Sequence, residues 1–252
     1  MPYDILAEVT GKEEIAENTF RIVCEAHPIA EEAVPGQFCM VGFSAPTTDP
    51  FLRRPLAIAS VEWGRIEFIM KVVGWGTSLL SQILPGNRIP VLGPLGKGFP
   101  KPDGKVILVA GGMGLPPLLY AAKSWKDAVL LYGEKTMSDI CGLGDNPRCN
   151  LKIATEDGSF ENQGLATDLL IEELNKAKAP IYTCGPIAMM FEVVKIAKKF
   201  EVGCYVSLEE RMACGIGACQ GCVLPTRTGY KRVCADGPVF NADDLEWEVE
   251  GD

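Results

Sequence analysis

Over its first hundred residues the chain alternates short apolar runs with turn residues. Tyr3 to Val9, Asn18 to Ala26, Gln37 to Phe43, Arg54 to Val61, Arg65 to Val73 and Arg88 to Leu92 each carry partial apolar/polar alternation, the mark of half-buried strands. Strands at this spacing, divided by turn residues, predict a small antiparallel β-barrel. One helix is expected at Thr77 to Leu84, where apolar residues recur at helical intervals and Pro85-Gly86 closes the segment.

From Lys105 the pattern changes. Apolar strands now alternate with helical patterns: Val106 to Ala110 then Leu115 to Lys123, Ala128 to Tyr132, Leu151 to Thr155 then Leu165 to Lys176, and Ile181 to Thr183 then Ile187 to Phe200. That order predicts an α/β unit, a Rossmann-like parallel sheet with helices on its faces. Phe99-Pro100-Lys101-Pro102-Asp103-Gly104 is the natural hinge, and after a last strand at Gly203 to Ser207 comes a cysteine-rich tail too short for a core of its own. The expected division is a barrel at 1–99, an α/β unit at 100–206 and a small metal-stapled module at 207–252.

Composition narrows the function classes. With 252 residues, 47% of them hydrophobic, the chain can bury two compact units and an appendage. A formal charge of -9 lacks the clustered basic surface that a nucleic-acid partner demands. The most apolar stretch, Val106 to Ala122, is interrupted by glycines and prolines and is too short to span a bilayer, so no membrane segment is expected. Met1-Pro2-Tyr3-Asp4 lacks the features of a secretory signal, and the expected location is the cytoplasm. In that reducing setting ten cysteines read as thiols or metal ligands rather than disulfides.

Four of the ten crowd near the end of the chain. Cys214, Cys219 and Cys222 are separated by four and then two residues, and Cys234 follows after eleven more, the C-x4-C-x2-C…C spacing of a plant-type [2Fe-2S] cluster. Gly215, Gly217 and Gly221 let a tight loop turn three sulfurs inward. The alternatives are structural zinc, which usually takes its ligands as two short-spaced pairs, and four buried reduced thiols. Cys24, Cys39, Cys141, Cys149 and Cys204 show no ligand spacing and read as packing or surface thiols.

Several segments suit nucleotide cofactors. Arg53 and Arg54 at a strand start can fork onto a pyrophosphate or a flavin carbonyl. Gly74-Trp75-Gly76-Thr77-Ser78 leads into the first helix and offers an anion bare amides, a hydroxyl and a helix N-terminus. Gly93 to Phe99 is a second glycine-rich loop that reads equally as a simple turn. In the second half, Val106 to Ala110 runs into Gly111-Gly112-Met113-Gly114 and a helix, where glycines let a pyrophosphate approach the backbone. Pro117 stands where the dinucleotide fingerprint has its third glycine. Glu134, twenty residues past Gly114, is positioned to take ribose hydroxyls of NAD and repel the extra phosphate of NADP, although Lys135 beside it blurs that choice. Cys184-Gly185-Pro186 ends a strand at the carboxyl edge of the sheet, where Cys184 is within reach of a nicotinamide or flavin or else fills a small buried space.

In this order, the R-P-x-x-I strand, the G-x-G-T loop, the G-G-x-G and C-G-P strand ends and the closing cysteine module resemble the ferredoxin-reductase-like family. Within it the resemblance is to electron-transfer subunits of dihydroorotate dehydrogenase B, most specifically over Glu209 to Cys222 and Val233 to Phe240. The resemblance implies FAD along Arg54, Pro55, Leu56 and Ala57, with Ile69, Met70 and Lys71 on the next strand and Gly76 and Thr77 at the pyrophosphate. The family commonly has serine at the position of Ala57, so a hydroxyl at the flavin ring is missing here, and Ser60 is too far along the strand to replace it. NAD and a catalytic subunit containing FMN, two copies of each chain in a heterotetramer, follow from the same resemblance, as does a role in pyrimidine synthesis. A ferredoxin or hydrogenase partner for the same cofactor chain is the alternative, and a colourless zinc-stabilised binding protein is a further one. A relay needs placement more than acid–base chemistry, in keeping with a single histidine, His27.

Overall fold

The computed structural model describes residues 1–43, 49–141 and 149–247. Six strands close an antiparallel barrel: β1 (Tyr3–Ala16), β2 (Thr19–Glu25), β3 (Phe38–Val41), β4 (Arg54–Glu62), β5 (Arg65–Lys71) and β6 (Arg88–Leu95), in the order β1-β2-β5-β4-β3-β6. Alternation explains the closure. In β6, Ile89 and Val91 point inward and are buried while Arg88 is exposed. Val9, Ile22, Ile58 and Phe68 meet them from the other strands, each worth about 1.5–3 kcal/mol for leaving water.

Two barrel features depart from the expected pattern. β1 runs on to Ala16 rather than ending at Val9, because its register with β2 shifts around Gly11 and its far arm is charged, Glu13 pairing with Arg21 at 3.2 Å. A polar, half-exposed arm hides strand periodicity. Helix α1 (His27–Glu32) was not expected; it is a single turn and a half, too short to show a period, and Pro28 starts it. Helix α2 (Trp75–Ser81) follows β5.

The second half is built on β7 (Val106–Gly111), β8 (Ala128–Glu134), β9 (Asn150–Thr155), β10 (Asn162–Gln163), β11 (Ile181–Cys184) and β12 (Cys204–Ser207). They pair in parallel in the order β10-β9-β8-β7-β11-β12. Central strands covered on both faces need no alternation, and all six residues of β7 are buried. Helix α3 (Leu115–Ser124) covers one face and packs against β4 of the barrel, while α4 (Ala166–Lys176) and α5 (Ile187–Phe200) cover the other. Glu173 of α4 is buried and takes Lys152 of β9 at 2.7 Å and Lys176 at 2.8 Å, with Lys105 at 3.6 Å, so one carboxylate ties helix to sheet.

The tail solves its shortage of core by borrowing one. After hairpin β13 (Val223–Thr226) and β14 (Gly229–Arg232) and the short α6 (Val233–Asp236), β15 (Val239–Asn241) pairs antiparallel with β12 as a seventh strand of the sheet. Val233, Phe240, Ala242 and Leu245 join the core that holds Ile181 and Val206 of the sheet and Phe38 and Met40 of the barrel. Among the described residues, no helix is long and apolar enough to cross a membrane.

Candidate cofactor sites

A groove of about 370 Å³ separates the barrel from the carboxyl edge of the sheet. Its barrel wall is Arg54, Pro55, Leu56 and Ala57 of β4, Ile69, Met70 and Lys71 of β5, and Thr77 of α2. Strand pairing brings these together: β4 lies beside β5, so residues far apart in sequence share one barrel face. Gly76 lies beneath them. A Cβ on Gly76 would come within 2.2 Å of the Arg54 Nε, so the missing side chain is what lets the guanidinium cross the helix start. Arg54 is steadied by the Leu52 carbonyl and by the Phe43 ring, 5.7 Å away. The Thr77 hydroxyl accepts from the Val73 and Gly74 amides at 2.9 and 3.1 Å and donates to the Gly74 carbonyl, so it shapes its own turn. A long groove with an apolar floor and an arginine at the helix start fits a flavin with its pyrophosphate.

A second groove, about 560 Å³, opens on the carboxyl edge of the sheet and is lined by Gly111, Gly112, Gly114, Gly185 and Pro186. The glycines are needed there. A Cβ on Gly114 would lie 2.1 Å from the Cys184 carbonyl oxygen, so the β7 and β11 ends touch through bare backbone. Leu224, Pro225, Leu245, Glu246 and Trp247 reach over from the tail to form the far wall, and spacing in the sequence gives them no such role.

The structure also places two further residues named from the sequence. Cys184 is buried and lines the barrel groove, not the glycine-lined one, and burial pushes its thiol up. Glu134 lines neither. Its carboxylate accepts the Tyr132 hydroxyl at 2.7 Å, and burial raises it although that hydrogen bond and Lys71 act in the other direction. The Glu134 carboxylate is thus engaged by a tyrosine two positions earlier on β8.

Both grooves share Met113, Leu208, Glu209 and Glu210. Ser207 at the end of β12 and Met212 also line the barrel groove. Their signal in the sequence was position alone, the carboxyl end of an edge strand next to a ligand crevice. Burial raises the Glu209 carboxyl, which stands where the two grooves meet.

Met212 leads directly to the cysteine loop. Gly215 and Gly217 take positive φ, +71° and +80°, and a Cβ on Gly215 would strike Met40 of β3 at 2.4 Å, so the loop rests on the barrel wall. The Gly217 amide donates to Cys234 Sγ at 3.1 Å, the Cys219 amide to Cys214 Sγ at 3.4 Å and the Cys234 amide to Cys222 Sγ at 3.4 Å. Burial pushes the Cys214 thiol up, but the amides of Cys219, Ile216 and Ala218 outweigh it and bring the group to about 6. Cys234 moves the other way, raised by burial and by Cys222 beside it. The sulfurs thus neighbour one another in pairs, Cys214 with Cys219 and Cys222 with Cys234. Among the described residues, no group of three or more His, Cys, Asp or Glu side chains, this quartet included, is placed to hold a metal ion. Two sulfur pairs flanked by backbone donors suit a two-iron centre.

The family model for the iron–sulfur cluster binding domain of dihydroorotate dehydrogenase B matches residues 209–246. Full-length similarity extends this to the whole chain. The NAD(+)-type dihydroorotate dehydrogenase B electron transfer subunit of Desulforamulus reducens is 38% identical over 257 residues, covering 96% of this chain and 98% of that one. The chain belongs to the dihydroorotate dehydrogenase B electron transfer subunit family. Its relative in Clostridium acetobutylicum is 39% identical over 218 residues, 85% of this chain and 87% of that one. Among solved structures, an NADH-dependent reduced ferredoxin–NADP oxidoreductase studied for flavin-based electron bifurcation superposes with a TM-score of 0.85 at 29% identity, over 96% of this chain and 90% of that one. The ferredoxin reductase of carbazole 1,9a-dioxygenase shares the fold, with a TM-score of 0.67 at 22% identity over 80% and 67% of the two chains.

Proposed function

We propose that this family member carries electrons between a catalytic subunit that oxidises dihydroorotate to orotate and NAD, using a [2Fe-2S] cluster on Cys214, Cys219, Cys222 and Cys234 and an FAD in the barrel groove. The observation that carries the reading is adjacency: the glycine-lined groove and the flavin groove share a wall at Met113, Leu208, Glu209 and Glu210, and the same segment runs on through Met212 to the cysteine loop. When bound, the cluster supplies one-electron exchange, the flavin both one- and two-electron exchange, and the nicotinamide hydride exchange.

The chain's own residues bind and orient. Arg54 and the start of α2 hold the pyrophosphate, Pro55 to Ala57 with Ile69 and Met70 form the flavin's apolar bed with Lys71 at its edge, and Gly111, Gly112, Gly114, Gly185 and Pro186 give the dinucleotide access to backbone. Cys184 borders the flavin. Cys219 is the exposed member of the quartet, whereas Cys222 and Cys234 are buried, so the loop end carrying Cys219 faces the partner. That partner contains FMN and assembles with this chain two by two in the cytoplasm, a compartment that suits ten free thiols.

The anaerobically purified chain is expected to hold about two irons, two sulfides and one FAD; one zinc without flavin absorbance would overturn the reading. Mixed with an FMN-containing dihydroorotate dehydrogenase subunit, it should form a stable complex of twice each chain's mass that reduces NAD with dihydroorotate. A second reading, in which a ferredoxin-type protein is the partner, draws on the likeness to the bifurcating oxidoreductase. It prevails if the dehydrogenase subunit fails to bind and reduced ferredoxin supports turnover.

A further inference from the structure

Arg232 ends β14 two residues before Cys234. Its guanidinium makes two bonds, and a third interaction continues from one of them. Nε donates to Asp236 Oδ2 at 3.1 Å, Nη1 donates to the Gly217 carbonyl at 3.1 Å, and the same Gly217 sends its own amide to Cys234 Sγ at 3.1 Å. Asp236 also accepts the Arg232 backbone amide, at 2.9 Å, through the same oxygen. The cation therefore stands near the buried Cys222–Cys234 pair with its anion beside it. Gly217 is seated tightly in this corner: a Cβ there would meet Ala235 at 2.8 Å and Arg232 Nη1 at 3.2 Å, and its φ of +80° admits little but glycine.

We propose that Arg232 and Asp236 form a charge couple that sets the reduction potential of the cluster, Arg232 raising it and Asp236 lowering it. The inference rests on the reading that the four cysteines hold a [2Fe-2S] cluster. Reduction adds one electron and leaves the cluster and its thiolates one unit more negative, so a neighbouring cation favours the reduced form and an anion the oxidised one. Arg232 adds a second effect of the same sign. By fixing the Gly217 carbonyl it holds the Gly217 amide on the Cys234 sulfur, and donors to a ligating sulfur also favour reduction. Asp236 opposes both and anchors the guanidinium in place. The couple is only partly covered, with side-chain exposures of 41% for Arg232 and 27% for Asp236, so salt reaches it and its influence falls as ionic strength rises.

Arg232→Gln removes the charge and the fork, Arg232→Lys keeps the charge without the fork, and Asp236→Asn keeps an acceptor oxygen for the Arg232 amide while removing the opposing charge. Each full-length variant, purified anaerobically with its cofactors, is titrated potentiometrically with the electron paramagnetic resonance signal of the reduced cluster as readout. Arg232→Gln is expected to lower the reduced-to-oxidised ratio at fixed potential about tenfold, about 59 mV for one electron. Asp236→Asn should move it the opposite way, Arg232→Lys should fall between Arg232→Gln and the native chain, and the shifts should shrink in 1 M salt. A residue that merely held the loop would move both variants in the same direction or strip the cluster from both. Unchanged potentials, or shifts of one sign, at full iron content overturn the couple. If Arg232→Gln loses iron, Asp236→Asn and Arg232→Lys decide by the sign of their own shifts. Absence of iron and sulfide from the native chain would instead overturn the cluster assignment itself.

Discussion

Lys71 Nζ stands 3.0 Å from Asp139 Oδ1, joining the barrel strand that floors the flavin groove to the turn after β8. The hydrogen bond to Asp139 raises Lys71, and the same bond lowers Asp139. Both side chains are partly exposed, so the pair's direct worth is at most about 1 kcal/mol. Its larger effect is orientation. Asp139→Asn is expected to change the melting temperature little but to weaken FAD binding about two- to fivefold, an effect of under about 1 kcal/mol. Flavin fluorescence titration of the apoprotein measures it, and undiminished affinity would reduce Lys71 to a simple strand-end charge.

Gly76 and Arg54 make a sharper test. Adding a Cβ at Gly76 displaces the end of a flexible side chain rather than backbone, so Gly76→Ala should fold normally while moving the guanidinium off its mark. FAD affinity is expected to fall about tenfold or more, near 1.4 kcal/mol. Arg54→Ala should cost about as much, and the double variant little more than either alone, since both remove one interaction. Additive losses would mean that Arg54 and Gly76 act separately.

Glu173 predicts an acid-dependent stability. Burial pushes its carboxyl up, yet Lys152 and Lys176 outweigh burial and hold it at about 2. A carboxyl depressed in the folded state adds stability that is complete above its unfolded value near 4.5 and is lost as pH falls toward 2. Glu173→Gln should therefore be less stable than the native chain at pH 7 by about 2–3 kcal/mol, with the gap closing between about pH 4.5 and pH 2. Denaturant melts across that range provide the measurement; a gap independent of pH would assign the loss to packing.

Removing the iron should unfold little. The tail's apolar residues are buried in the shared core and β15 is hydrogen-bonded into the sheet, so those contacts survive without metal. Chelation is expected to leave far-ultraviolet circular dichroism of the barrel and sheet almost unchanged, with faster amide exchange confined to residues around 211–236. Global unfolding on chelation would instead make the metal a staple for the whole chain.

The strands and helices legible in the sequence were those whose periodicity reflects burial on one face or both. Hence β6, with its partial alternation, and β7, with its unbroken apolar run, start where the pattern put them, although β6 runs on to Leu95. The far arm of β1, α1 and the β13–β14 hairpin were illegible because they are charged, very short or glycine-bounded. The cysteine quartet stands out by spacing alone, since metal ligation would fix residue type at each position. Glu134 shows the limit of such reading: position at a strand end gives no information about direction, and here Tyr132 holds the side chain. The shared wall of Ser207 to Glu210 was hidden for a related reason: it becomes a wall only when two domains close on it.

The stitching of the tail has a mechanical meaning. The Lys97 amide donates to the Gly237 carbonyl at 2.6 Å and the Leu208 amide to the Pro238 carbonyl at 2.9 Å, so adjacent residues of the tail are fastened to the barrel and to the sheet respectively. The cysteine loop has no swivel of its own. Whatever motion admits or releases a dinucleotide must carry the loop along or break those bonds, which makes the spacing between loop and flavin groove a built-in constant. Timing in such a machine is then left to the arrival and departure of other molecules.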